Sequence, residues 1–83
     1  MRRWEEESPC AYVLKGNPQI SLEKDRSSGY WGLISYGVGI YAPVQVSKDL
    51  EEAKVTAVGY VREILIEKRA LIDSMVRDLE GLA

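Results

Sequence analysis

Histidine is absent from this chain. That removes the commonest general base, the commonest metal ligand and the usual partner of a nucleophilic serine or cysteine. Cysteine is nearly absent: Cys10 stands alone, so neither an intramolecular disulfide nor a Cys–His pair can form. Its thiol reads as a small buried hydrophobe in a reducing cytoplasm. A positive excess is missing too. The 11 Lys and Arg against 13 Asp and Glu leave a net charge of −2 and an isoelectric point near 5.1. A field of that sign does not draw a protein to phosphate backbones, and it falls well short of the dense acidity of a nucleic-acid mimic.

Other absences narrow the field further. Residues 27–47 carry no charge, yet glycines, serines, Pro43 and Gln45 interrupt them and their period is two, so they are not a membrane span. Behind Arg2 and Arg3 there is no apolar core of a secretory signal. Gly29, Gly32, Gly37 and Gly39 lack the Gly-Lys-Ser/Thr ending of a phosphate loop and fall at turn and strand positions. Glu5, Glu6 and Glu7, like Glu51 and Glu52, are sequence neighbours whose side chains do not converge on one point. The expectation is a protein without catalytic residues, cofactor or metal.

What is present organises itself around residues 29–47, GYWGLISYGVGIYAPVQVS. Val, Ile, Tyr and Trp punctuated by glycine are strand-and-turn composition. A hairpin about Val38 and Gly39 pairs Tyr36 with Tyr41, Leu33 with Val44 and Trp31 with Val46. Strand side chains alternate, so this register sends Trp31, Leu33, Ser35, Ala42, Val44 and Val46 to a core face. Tyr30, Gly32, Ile34, Tyr36, Tyr41, Pro43 and Gln45 go to the other. Upstream, residues 19–25 alternate Ile20 and Leu22 with Ser21 and Glu23. A loop at residues 26–29 pairs Leu22 with Leu33 on the same core face. Residues 10–14 form a further strand, and closing the turn at residues 15–18 pairs Val13 with Ile20. Residues 1–9 read as a flexible arm whose Trp4 either caps the core or anchors a partner.

After Ser47 the period changes. Asp49, with Glu52 three residues later, is a capping box, and Glu51 and Glu52 suit the positive end of a helix dipole. Helical spacing continues without proline to about Leu79, with Gly81 as a stop. The 83 residues therefore predict one small α+β domain. It is a four-stranded antiparallel meander over 10–47, then one long helix over 49–80 packed on one face of the sheet. Ala53, Ala57 and Gly59 permit close approach, with Leu50, Val61 and Ile64 as larger contacts. Such a helix spans roughly 45 Å at ~1.5 Å per residue, against about 20 Å for a six-residue strand. It outruns the sheet. Val58, Leu65, Ile72 and Leu79 recur every seven residues, flanked by Val61, Met75, Val76 and Leu82 and interrupted by Lys68. Either the helix breaks near residues 67–70 and folds back, or Leu65, Ile72, Met75, Val76 and Leu79 meet a second copy or another protein.

Three functions fit these features. In the first, a protein-binding module presents Tyr12, Tyr30, Ile34, Tyr36 and Tyr41 on an uncharged sheet face, with Trp4 as a further anchor. The second is DNA binding: strands followed by a helix over residues 19–67 resemble the arm-site-binding domains of tyrosine recombinases and plant ethylene-response-type domains. Those resemblances imply basic residues on the sheet, whereas residues 30–46 hold no Arg or Lys. Nucleic acid is therefore not the expected partner. The third is a structural dimerisation role for the helix stripe. In size, absent catalytic residues, acidic-to-neutral charge and sheet-then-helix order, the chain resembles small inhibitors encoded by bacteriophages and mobile elements, anti-CRISPR proteins among them. That resemblance implies a bacterial cytoplasmic protein that sterically blocks a host defence enzyme or complex.

Overall fold

The structure, a computed structural model, describes residues 2–82. An antiparallel sheet of five strands in sequential order is followed by one long helix: β1 Trp4–Ser8, β2 Ala11–Leu14, β3 Ile20–Lys24, β4 Trp31–Ser35, β5 Ile40–Ser47 and α1 Leu50–Glu80. The α+β order and the helix are as expected; the strand count is one higher. Residues expected to form a loose arm are β1, which pairs with β2 from Trp4 opposite Leu14 to Ser8 opposite Ala11. Three successive glutamates disguise it, because strand propensity is low for Glu. Tertiary contacts decide instead. Trp4 packs against the core, and the Arg2 guanidinium donates to the carbonyls of Pro18 at 2.7 Å and Asn17 at 2.8 Å. Gly16, at φ 149°, leaves room where that guanidinium crosses the turn.

One register matches the sequence reading, one matches only at its centre and one does not. Leu22 lies opposite Leu33, and Leu33 opposite Val44, as the alternation requires. Between β2 and β3, however, Leu14 pairs with Ile20 and Tyr12 with Leu22. The connecting loop includes Gln19, one residue more than the turn chemistry suggested, and one residue reverses the face of every β2 side chain. Tyr12 therefore sits on the helix side of the sheet, while Val13, buried, sits on the outer side.

In the β4–β5 hairpin, Tyr36–Val38 forms a single 3-10 turn closed by Gly39 at φ 84°. Ser35 consequently pairs with Ile40, and extra β5 residues are absorbed before Val44. Ile40 and Val38 enter the core, whereas Ala42, expected there, is exposed. A second irregularity sets Trp31 opposite Ser47 instead of Val46.

α1 crosses the sheet on Ala53, Ala57 and Val61, all buried, with Leu50 and Ile64 packed beside them. Gly59 faces away and touches nothing there. The N-cap is Asp49, whose carboxylate accepts from the Glu52 amide at 2.9 Å. Buried together are Leu14, Ile20, Leu22, Trp31, Leu33, Val38 and Ile40 under those alanines. The helix then runs unbroken through residues 67–70 to Glu80, which rules out the folded-back alternative and gives a long axis of 54 Å. No helix among the described residues is long and apolar enough to cross a membrane.

Candidate functional site

The tyrosines expected on one face are divided among three places. Tyr36 and Tyr41 flank the β4–β5 turn; their rings stack with centroids 5.7 Å apart and planes 25° from parallel. They are no ladder pair, since Tyr36 lies in the 3-10 turn, but the neighbourhood foreseen for them holds. Both are exposed, at 68% and 71%. Beside them a shallow hollow of about 220 Å³ is lined by Gln19, Ser21, Ile34, Ser35 and Tyr36. No charged side chain lines it.

Tyr30 shares the outer face but stands at the far end of β4, about 20 Å away at ~3.3 Å per residue. It borders a second hollow of about 280 Å³ with Glu23, Lys24, Asp25, Gly32, Pro43 and Gln45, and the Lys48 amine lies 5.2 Å from its ring centre. That environment is charged. Gly32 is needed here because a Cβ would meet the Pro43 ring.

Tyr12 belongs to the helix side. Its ring meets Trp31 edge-on at 5.6 Å, and the Lys54 amine sits 5.0 Å from its centre. Its hydroxyl donates to Glu6 Oε1 at 3.1 Å. That hydrogen bond, then burial, then the negative charges of Glu6 and Glu51 hold its pKa above the ordinary 10.0. A phenol with a raised folded-state pKa supplies stability that is complete below the unfolded value and lost as pH climbs through the folded one. Unfolding free energy should therefore fall above about pH 10, and Tyr12→Phe should flatten that fall in denaturant titrations at pH 8 and 11. An equal slope in both proteins would dissociate the hydroxyl from the effect.

Trp4 is likewise on the helix side. With Leu14, Ile20, Val58, Val61 and Leu65 it lines a largely apolar groove of about 550 Å³ between the β1 end of the sheet and α1, which Arg2 and Arg62 also line. The register shift and the unforeseen β1 create this groove together, so no pattern within one segment announces it. From there on the helix leaves the sheet. Leu65, Ile72, Met75, Val76 and Leu79 are exposed, as are Ile66, Leu71 and Leu82. The Lys68 amine, donating to the Val38 carbonyl at 3.2 Å, marks the crossing of the sheet's end.

No family model matches the chain, and neither a curated protein nor a solved structure matches it. Chemistry must be read from the residues alone. Among the described residues no group of three or more Cys, Asp or Glu is gathered to hold a metal ion. Every deeply buried side-chain nitrogen or oxygen among them has a hydrogen-bond partner. Ser35, for example, donates to the Gln19 carbonyl at 2.7 Å. What the arrangement offers is surface: an aromatic patch on an uncharged stretch of sheet, and an apolar helix face with no cover.

Proposed function

We propose that this chain is a non-catalytic protein-binding module that docks its outer sheet face on a folded protein and covers that protein's working surface. The stacked Tyr36–Tyr41 pair carries the reading. Stacking fixes the two rings against each other while leaving most of their area to solvent. Pre-ordered aromatic anchors with polar tips lose little entropy on docking and dominate interface energies. The adjoining hollow at Ile34 and Ser21 lets a partner side chain insert beside them. Residues 30–46 carry no cation, which favours a protein partner over a nucleic acid. Blocking of a host defence enzyme in a bacterial cytoplasm is the specific form suggested by the chain's resemblance to phage-type inhibitors.

The test is Tyr36→Ala/Tyr41→Ala against wild type, with a partner captured from host lysate and then purified for titration. Each substitution should weaken binding by about 2 kcal/mol or more. Loss of the stacked pair itself costs stability only about 0.5–1.5 kcal/mol, so the double variant should stay folded. A folded double variant that binds the partner with unchanged affinity refutes the proposal.

A further inference from the structure

The apolar face of α1 does not end where the sheet ends. Ala57, Val61 and Ile64 rest on the sheet, and the same side continues through Leu65, Ile72, Met75, Leu79 and Leu82 into solvent. We propose that residues 58–82 pair antiparallel with those of a second copy of this chain, so that the helix tip of each fills the groove of the other. This surface is separate from the outer sheet face and goes beyond the partner docking proposed above.

The spacing of the stripe supports this occupant. Val58, Val61, Leu65, Lys68, Ile72, Met75, Leu79 and Leu82 alternate steps of three and four, the seam of a two-helix contact. The series also reads the same in reverse about Ala70. Turned end for end, a second copy sets Leu82 against Val58 and Met75 against Leu65, with Leu79 at the groove wall where the edge of the otherwise buried Val61 lies. Lys68 falls opposite Ile72, and its amine is already drawn off to the Val38 carbonyl. The seam extends about 37 Å at ~1.5 Å per residue. The tip residues Met75, Leu79 and Leu82 then enter the groove lined by Trp4, Leu14 and Ile20.

Charge fixes the direction. Along one flank of the stripe lie Arg62 and Arg69, then Asp73 and Glu80. In an antiparallel pair Arg62 comes within a turn of Glu80 of the other copy, and Arg69 within a turn of Asp73. A parallel pair would lose these contacts and set Lys68 against Lys68 of the other copy in the middle of the seam. Arg69 does approach its counterpart near the two-fold axis, where Asp73 of the other copy lies close enough to neutralise it. Exposed pairs of this kind contribute little energy but discriminate between orientations.

Sedimentation at micromolar concentration should show a dimer. Ile72→Lys/Leu79→Lys, which alters exposed positions alone, should raise the dissociation constant on the order of a hundredfold or more while leaving circular dichroism unchanged. In a Cys10→Ser background, a mixture of Val58→Cys and Leu82→Cys proteins should be joined by a short bismaleimide, and Leu82→Cys alone should not. Arg62→Glu/Arg69→Glu should weaken the dimer, and adding Asp73→Arg/Glu80→Arg should restore it. A monomeric wild type, cross-linking of Leu82→Cys to itself, or failure of the charge-swapped helix to recover overturns the proposal. Each of these outcomes leaves the Tyr36–Tyr41 test undisturbed, because that patch lies on the other side of the sheet.

Discussion

Leu33→Ala should lower stability by about 2–5 kcal/mol. Leu33 is fully buried in the central part of the sheet, opposite Leu22, which is equally buried, and opposite Val44 on its other side. Truncation there removes contacts from β3, β5 and the helix at once, and the backbone ladders on both sides prevent the hole from collapsing. A chain of this size holds about 0.05–0.15 kcal/mol per residue, so the loss is a large share of the total. The melting temperature should drop by on the order of 10–30 °C. The neighbouring Ile34→Ala is the control: Ile34 is half-buried on the outer face and should cost about 1 kcal/mol. Urea titration of both variants at one fixed protein concentration gives the comparison. If Ile34 proves the costlier residue, the sheet is turned over relative to the helix.

The second large effect is expected at Ala57. Its side chain, like that of Ala53, is fully buried where α1 lies closest to the sheet, and a methyl group is all that fits. Ala57→Asp would place a carboxylate among apolar groups with no partner, a situation that costs about 3–5 kcal/mol. Ala57→Leu, which adds volume without charge, should cost about 1–3 kcal/mol. At exposed Thr56 the same aspartate should change stability by less than about 0.5 kcal/mol. Protonation removes the buried charge, so the deficit of Ala57→Asp should shrink as pH falls. A deficit that stays constant from pH 7 to pH 4, or that matches the one at Thr56, would mean that α1 does not rest on this face.

Which parts of this structure were legible in the sequence follows from where the constraints are local. The helix start at Asp49 was readable because a cap is a three-residue contact, and the β3–β4 register because Ile20, Leu22 and Leu33 must share one face. Tyr12 was misplaced because its face depends on a loop length, and the loop accommodates Gln19 with no compositional sign. β1 was missed because its stability derives from β2, from Trp4 on the core and from Arg2 on the 15–18 turn, not from its own glutamates. The hairpin reading places Ile40 on neither face, yet the 3-10 turn at Tyr36–Val38 brings it into the core. The helix stripe was visible as a seven-residue period. The groove beside it was not, because its walls come from β1, β2, β3 and α1.

The order of the strands leaves β1 and β5 as the two margins of the sheet, and both are blocked. β1 carries Glu5, Glu6 and Glu7 together with a break in pairing before Ser8. β5 has Pro43, which offers no N–H, inside its span Ile40–Ser47. Neither margin readily accepts another strand, so an extended peptide cannot simply add itself by backbone hydrogen bonding. A partner of the kind proposed above would therefore be met by side chains and not by a free strand edge. Binding of that kind is selective, since it reads residue identity and not main-chain shape, and it can be retuned one substitution at a time.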